Sequence, residues 1–201
     1  MTTLMWLGVA FVAGSLPFAV WVGRLALRTD IRRYGDHNPG ATNVLRAGGW
    51  LWGALALLLD CLKGAIPVGL AHFGAGLGGW PLTAVALAPA LGHAYSPWLK
   101  FRGGKAVAVT FGLWTGLTLG EAPLLLGLLL GLWSVVVMVS GWAILLAMAG
   151  LLLHLLWHHT DPVLLAVWTG NALLLAWKYR ADLSQPPGLR PCLIRLRRLG
   201  Q

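Results

Sequence analysis

Two short polar segments interrupt long apolar runs, and both combine glycine, amide or hydroxyl groups with basic residues. The first spans residues 30–46 and contains Asn38-Pro39-Gly40-Ala41-Thr42-Asn43, followed by Arg46. Gly and Asn allow backbone turns that aim successive N–H groups at one point, and the Arg fork matches phosphate geometry. The composition of this segment fits a phosphate site and an ordinary linker equally well.

The second segment spans residues 92–105 and ends in Gly103-Gly104-Lys105 ahead of an apolar run. Free N–H groups, the positive end of a helix and an ammonium would lie at one spot there. The segment is not a Walker A loop, because the upstream glycine and the strand are missing. Two such segments on one side of the same protein indicate phosphate binding more strongly than either does alone.

Charged and hydroxyl residues also occur inside the apolar runs. Ser15 and Arg24 lie in the first run, and Asp60 and Lys63 lie three positions apart in the second. Ionisable groups at membrane depth mark functional sites or pair with each other. The Asp60–Lys63 pair fits an ion pair that holds helices together and a functional role equally well. Arg24 fits a side chain that reaches out to the membrane interface.

No metal or cofactor is predicted. The spacing of His154 and His158 would suit a metal, but no third ligand is evident, so an interfacial position is favoured. Cys61 and Cys192 have neither a disulfide framework nor metal-ligand spacing around them.

The composition identifies the environment in which these residues are held. Hydrophobic residues make up 58% of the 201-residue chain and charged residues only 10%, with a mean hydropathy of +0.74. Soluble domains carry about 25% charged residues, so the chain is predicted to be an integral membrane protein. The net charge of +9 lies between apolar runs rather than on one basic face, which argues against a nucleic-acid partner.

The elements that must position the polar segments are predicted to be seven transmembrane helices in an all-α fold. Residues 122–158 are almost entirely apolar, and a single helix of that length would be about 55 Å long. The hydrocarbon core is only about 30 Å thick, so the chain is expected to turn back at Ser140-Gly141. The predicted spans are Leu4–Leu25, Leu51–His72, Pro81–Trp98, Ala106–Gly120, Pro123–Val139, Trp142–Trp157 and Pro162–Trp177.

The positions of the basic residues predict how these helices are oriented. All Lys and Arg except Arg24 and Lys63 fall in the segments 26–50, 99–105, about 140 and from Lys178 onward. The intervening segments 73–80, 121–122 and 158–161 contain none. The positive-inside rule then places the N-terminus outside and the C-terminus in the cytoplasm. Residues 1–183 are predicted to form one membrane domain, and residues 184–201 a basic tail on the anionic inner leaflet.

Several motifs occur in an order that resembles a known family. They are Gly14-Ser15 with Arg24, the stretch from Asn38 to Arg46, Asp60-x-x-Lys63-Gly64, Gly92-His93 and Phe101-Arg102-Gly103-Gly104-Lys105. Over residues 10–183 the chain resembles the bacterial acyl-phosphate:glycerol-3-phosphate acyltransferases, the PlsY family. The resemblance implies a seven-span enzyme of the bacterial inner membrane with its active site on the cytoplasmic side. It would move a fatty acyl group from acyl phosphate to the 1-hydroxyl of glycerol 3-phosphate, giving lysophosphatidic acid for phospholipid synthesis.

The resemblance also implies roles for individual residues and partners. Membrane lipid surrounds the enzyme, and an enzyme that forms acyl phosphate would be coupled to it. The residues implied in catalysis are Ser15, Arg24, His93 and Lys105. Ser15, Arg24 and the segment from Asn38 to Arg46 would build one phosphate cradle, and the loops at His93 and Lys105 the glycerol 3-phosphate site. The residues implied in binding substrate or phosphate are Asn38, Gly40, Thr42, Asn43, Arg46, Lys63, Gly103 and Gly104.

Several departures from the family pattern leave alternatives open. The family reads Gly-Ser-Gly-Asn where this chain has Gly35-Asp36-His37-Asn38, and the third motif, His-x-Glu-Asn, aligns with Tyr179-Arg180-Ala181-Asp182. Lys178, Tyr179, Arg180 or Asp182 would then replace the missing groups in an active enzyme. A catalytically impaired paralogue that binds phosphate or lipid is the first alternative. A small-anion transporter is the second and less favoured one, since the outer half of the spans is almost wholly apolar.

Overall fold

The structure is a computed structural model that describes residues 2–158 and 160–190. Within these residues the chain is helical and forms no strand, apart from an isolated bridge between Val137 and Leu189. The predicted all-α fold is therefore confirmed for the described part of the chain. Most of the predicted tail lies outside the described residues, and so does Cys192.

The chain divides into two compact units, Met1–Gly120 and Glu121–Gln201. The first unit carries both polar segments identified from the sequence. This unit contains short 3-10 helices at Ile31–Arg33 and Pro97–Leu99 and a π-helical turn at Leu70–Gly74. Its helices are α1 (Thr2–Ser15), α2 (Phe18–Ala26), α3 (Ala41–Gly48), α4 (Trp50–Gly69), α5 (Gly79–Ala94) and α6 (Val107–Thr118).

The second unit is built from three apolar helices of 16, 19 and 17 residues and a final helix of four residues. The break that the sequence placed at Ser140-Gly141 lies just before it, because a new helix already begins at Ser140. The Asp161 carboxylate accepts a hydrogen bond from the Val163 N–H and so caps the next helix. The helices are α7 (Glu121–Val136), α8 (Ser140–His158), α9 (Pro162–Lys178) and α10 (Arg180–Leu183).

Each of the seven predicted apolar runs contains a helix, but their lengths differ. Among the described residues, three segments are long and apolar enough to cross a membrane: Thr2–Ala26, Trp50–Gly74 and Ser140–His158. Val107–Thr118, Glu121–Val136 and Pro162–Lys178 are shorter apolar helices. These lengths support a membrane protein; the count of seven crossings and the orientation of the termini stay predictions.

Glycine allows the helices of the first unit to pack backbone against backbone. A Cβ at Gly14 of α1 would overlap the Pro89 carbonyl of α5, and one at Gly112 of α6 would overlap the Cys61 carbonyl of α4. Small residues at helix contacts permit such close approach in membranes, where apolar burial alone gives little drive for association. The two close pairs, α1 with α5 and α4 with α6, fix the helix ends from which the polar loops leave.

Candidate active site

The loop after α2 is held by a local ion pair. The Arg32 guanidinium donates to both carboxylate oxygens of Asp30, with Nη2 2.7 Å from Oδ2 and Nε 2.9 Å from Oδ1. These hydrogen bonds from Arg32 lower the pKa of Asp30 to about 2 against the opposing effect of burial. Asp30 also accepts the Arg32 N–H, which caps the short turn Ile31–Arg33.

Asn43 ties the centre of this loop together. Its side chain is buried, and its Nδ2 donates to the Asn38 carbonyl at 2.9 Å and to Asp36 Oδ1 at 3.1 Å. Its Oδ1 accepts from Arg46 Nη1 at 3.1 Å. Gly35 has a φ of +55°, and a Cβ there would overlap the Arg46 guanidinium. The sequence therefore needs glycine at this position, and the backbone turn it allows brings Asp36, Asn38 and Arg46 around one amide.

Lys105 of the second loop reaches the same place. Its Nζ lies 3.1 Å from Asp36 Oδ2, and the Asn38 N–H donates to Asp36 Oδ1 at 3.3 Å. Partial burial opposes ionisation of Asp36, but the hydrogen bonds from Lys105, Asn38 and Asn43 outweigh it and hold its pKa below the usual range. Asp36 is therefore an anion at neutral pH, and donors from both loops converge on it.

His93 at the end of α5 positions Lys105. Its carbonyl accepts the Gly104 N–H at 3.1 Å, and its ring is buried. A Cβ at Gly104 would overlap the His93 ring, and one at Gly103 would overlap the His93 carbonyl. Both glycines are thus required by close approach to His93. Ala106, with a φ of +65°, then turns the chain into α6.

The predicted Asp60–Lys63 ion pair is formed and is buried beside this loop. Lys63 Nζ lies 2.7 Å from Asp60 Oδ1, with both side chains 2% exposed. The same ammonium donates to the Leu16 carbonyl at 2.7 Å, in the break between α1 and α2. His93 Nδ1 is 4.0 Å from Asp60 Oδ1. This cluster joins α4 to the end of α1 and lies against His93.

Ser15 makes its hydrogen bonds inside the protein. Its hydroxyl donates to the Val12 carbonyl at 2.7 Å and accepts from Trp98 Nε1 at 3.2 Å. Its carbonyl accepts from the Ser96 hydroxyl at 2.6 Å. Ser15 therefore holds the Ser96–Trp98 stretch of the second loop against the end of α1.

Arg24 opens onto a separate cavity of about 800 Å³. Four cationic side chains share this cavity with an apolar wall, so it suits a molecule that has both an anionic and an apolar part. The sequence grouped Arg24 with Asn38–Arg46, whereas the structure surrounds it with residues of both loops. The lining residues are Pro17, Val20, Trp21, Arg24, Arg32, Trp98, Leu99, Lys100 and Arg102.

The remaining predicted residues fall into place around these two regions. Gly40 is buried and precedes the first turn of α3, and Thr42 is exposed on that turn. His154 Nε2 pairs with Glu121 at 2.8 Å, and its ring lies 4.8 Å from the His158 ring. Within residues 2–158 and 160–190, His, Cys, Asp and Glu form no group of three or more suited to a metal.

The segment aligned with the third motif follows α9 in the second unit, with Tyr179 as its C-cap and the next three residues in α10. Tyr179 is buried, and Arg180 donates to the Trp177 carbonyl at 2.9 Å while lying 4.6 Å from the Trp177 ring centre. Gly141 packs closely on Tyr179 and on Asp182, whose Cβ would lie 2.7 Å from an added Cβ at Gly141. These contacts give the segment a packing role in its own unit.

Comparison with known proteins decides the family. The family model described as glycerol-3-phosphate acyltransferase matches residues 4–185. The chain belongs to this family. Glycerol-3-phosphate acyltransferase 1 of Thermotoga maritima is 32% identical over 191 residues, covering 88% of this chain and 94% of the relative. The glycerol-3-phosphate acyltransferase of Actinobacillus succinogenes is 38% identical over 192 residues, covering 95% and 84%.

Two solved structures of this acyltransferase family have the same fold. The crystal structure of PlsY (YgiH), an integral membrane glycerol 3-phosphate acyltransferase, in its glycerol 3-phosphate form has a TM-score of 0.83 and 29% identity, covering 98% of this chain and 99% of that one. Its lysophosphatidic acid form has a TM-score of 0.82, covering 92% and 91%. The family resemblance inferred from the motifs is confirmed.

Sequence reasoning missed several residues that the structure brings into these two regions. Asp36 was noted as a departure from the pattern, not as the group on which Asn43 and Lys105 converge. Arg32, Lys100 and Arg102 were counted only as loop charges, although they share the cavity with Arg24. The available signal was the pairing of two basic loops on one side, but the sequence does not say which cations of each loop meet.

Proposed function

We propose that this family member transfers an acyl group from acyl phosphate to the 1-hydroxyl of glycerol 3-phosphate. A new ester C–O bond forms, the C–O bond between acyl carbon and phosphate breaks, and the hydroxyl proton leaves with the released phosphate. The observation that carries the proposal is the convergence of donors from both loops on one anionic group, the Asp36 carboxylate. Donors that hold a carboxylate in this way have the charge and direction to hold a phosphate.

Glycerol 3-phosphate is assigned to the region around Lys105. The Lys105 ammonium, the buried Asn43 amide and the Arg46 guanidinium lie together there. Their combined charge suits the phosphate dianion. Asn38, Gly40 and Thr42 border the same loop, and Gly103 and Gly104 keep Lys105 in place against His93. Lys63 does not belong to the two loops and supports the site indirectly, through its ion pair with Asp60 beside His93.

Acyl phosphate is assigned to the cavity at Arg24. Arg24, Arg32, Lys100 and Arg102 supply positive charge, and Val20, Trp21 and Leu99 supply an apolar wall for the start of an acyl chain. Trp98 lines this cavity and is held by Ser15, which gives Ser15 a place at its edge.

The chemistry asks the protein mainly to position and neutralise two phosphate-bearing molecules. Acyl phosphate is a mixed anhydride, so its leaving group departs readily without a nucleophilic side chain. Holding the hydroxyl near the acyl carbon supplies much of the rate enhancement, and cations stabilise charge that develops on the departing phosphate. Arg24 is the cation assigned to the departing phosphate, and Lys105 to the phosphate of glycerol 3-phosphate. The phosphate of the substrate itself is available to accept the hydroxyl proton.

The proposal includes seven membrane crossings, with the N-terminus outside and the C-terminus and both loops on the cytoplasmic side of the bacterial inner membrane. The segregation of basic residues supports this orientation. An enzyme that forms acyl phosphate would supply the donor, since the mixed anhydride hydrolyses in water and is best used where it is made.

A catalytically impaired family member is the second candidate. Tyr179-Arg180-Ala181-Asp182 stands where the family has His-x-Glu-Asn, which favours a chain that kept its phosphate contacts and lost turnover. The deciding experiment supplies purified protein with acyl phosphate and glycerol 3-phosphate and follows phosphate release together with lysophosphatidic acid. Equal amounts of both products, above those of Lys105→Ala, support the transferase. Binding of glycerol 3-phosphate without either product supports the impaired paralogue instead.

A further inference from the structure

Asp36 occupies the place that the proposed phosphate group needs. Lys105 Nζ is 3.1 Å from its Oδ2, and Asn43 Nδ2 is 3.1 Å from its Oδ1. The Asn38 N–H donates to Oδ1 at 3.3 Å. One carboxylate thus takes an ammonium, a side-chain amide and a backbone N–H from the group assigned to glycerol 3-phosphate.

The carboxylate is held by these donors more than by packing. The Asp36 side chain is 45% exposed, whereas Asn43 is 1% exposed and fixed by the Asn38 carbonyl. Rotation of the Asp36 side chain towards water would therefore expose the donors without disturbing the buried amide. The residue is flanked by Gly35 and His37, both with positive φ.

We propose that Asp36 determines the affinity for the phosphate substrate by competing with it for Lys105, Asn43 and the Asn38 N–H. This inference rests on the assignment of glycerol 3-phosphate to this region. A site that must first release an internal partner binds its ligand with an apparent affinity reduced by the fraction of molecules in which that partner has moved away. The carboxylate also repels an incoming dianion at short range.

The opposite role for Asp36 would be to position Lys105, and the two roles predict opposite signs. Neutralising a competitor removes its hold on the ammonium and so tightens phosphate binding. Neutralising a positioning residue lets the ammonium leave its place and so weakens phosphate binding. Asp36→Asn separates them, because the amide has nearly the same shape and keeps an oxygen that can accept from Asn43.

The test measures binding of inorganic phosphate and of glycerol 3-phosphate to the purified full chain by isothermal titration. Asp36→Asn is expected to bind both about tenfold more tightly than wild type, and Asp36→Ser is expected to do so as well. The KM for glycerol 3-phosphate is expected to fall with both dissociation constants. Asp161→Asn is the matched control, since it removes one carboxylate at the capping position of α9 and leaves an Asn that also caps; it is expected to bind as wild type does.

A double variant shows whether the gain passes through the ammonium. In Lys105→Ala, the further change Asp36→Asn is expected to tighten binding much less than it does in wild type. Unchanged or weaker binding by both Asp36 variants, with unfolding midpoints like that of wild type, overturns the inference. If the Asp36 variants give that result and wild type turns over normally, the proposed function stands and only this inference fails. Tighter phosphate binding without any turnover means that the anion competition is real and the proposed transferase is wrong.

Discussion

Replacing Lys63 by methionine tests whether the buried ion pair is chiefly structural. The ammonium pairs with Asp60 Oδ1 at 2.7 Å, donates to the Leu16 carbonyl at 2.7 Å and lies 5.9 Å from the centre of the Phe18 ring. Both side chains of the ion pair are 2% exposed. Methionine has a similar length but no charge, so Asp60 would remain buried without its cation. Removing one partner of a buried ion pair costs about 3–5 kcal/mol. We expect Lys63→Met to lower the free energy of unfolding by that amount.

The double variant Asp60→Leu/Lys63→Met makes this prediction specific. Replacing both charges with apolar groups of similar volume is often neutral or stabilising, so most of the loss in Lys63→Met should return. The free energy of unfolding would be measured by titrating sodium dodecyl sulfate into protein in mixed micelles, with the fluorescence of the 12 Trp residues as the signal.

Two results would refute the structural reasoning. A double variant as unstable as Lys63→Met would mean that the Leu16 contact, not the ion pair, carries the stability. A double variant that is stable but has a much lower kcat, with its KM unchanged, would assign the pair a direct part in the reaction. The structural reading expects the stable double variant to keep most of its turnover, since His93 still supports Gly104 through its carbonyl.

Three further predictions follow from local geometry. Gly104→Ala should lower the unfolding midpoint and raise the KM for glycerol 3-phosphate, because the new Cβ overlaps the His93 ring. An overpacked core costs about 1–3 kcal/mol. Gly8→Ala is the control and should be as stable as wild type, because nothing lies within 4 Å of its added Cβ. Asp30→Asn should destabilise the protein at neutral pH. The folded pKa of Asp30 is lowered to about 2, so the stabilisation that its carboxylate provides is complete above the unfolded pKa of about 3.9. That stabilisation is lost as pH falls through about 2. Denaturation midpoints of Asp30→Asn and wild type should therefore converge between pH 4 and pH 2, and a constant gap would be evidence against the Arg32 pairing. In a background without Cys61 and Cys192, single cysteines at Lys100 and at Asp161 should be labelled by an impermeant reagent from opposite sides of the membrane, and labelling from the same side would contradict the seven-span topology.

Much of the helical framework could be predicted from hydropathy alone. Each apolar run became a helix because a backbone in hydrocarbon must satisfy its own hydrogen bonds. The sequence did not reveal that the first run breaks at Leu16-Pro17, where Pro17 lacks an N–H and Lys63 takes the Leu16 carbonyl. The sequence also placed the turn between α7 and α8 slightly too late, at Ser140-Gly141 rather than just before Ser140.

The sequence indicated which residue types could bind phosphate, but not which of those residues meet in the folded protein. Glycines next to Lys105 and the Asn38–Asn43 stretch were identified because their chemistry is local. The meeting of Lys105 with Asp36 was not, since it depends on how α5 and α6 present the second loop to the first. The sequence did not place Lys100 and Arg102 beside Arg24 for the same reason, because these cavity residues are distant from Arg24 along the chain.

In the proposed enzyme, two loops form one phosphate site with Lys105 and Arg46 as its cations. Titration of glycerol 3-phosphate into purified wild type, Lys105→Ala and Arg46→Ala tests it most directly, with Arg33→Ala as a control that removes a cation of the same loop outside the site. Each lost charge-assisted contact is worth about 1.5–3 kcal/mol, which predicts affinities about 10- to 150-fold weaker for the two site variants and an unchanged affinity for the control. Lys105→Ala and Arg46→Ala proteins that bind glycerol 3-phosphate as tightly as wild type would contradict the account.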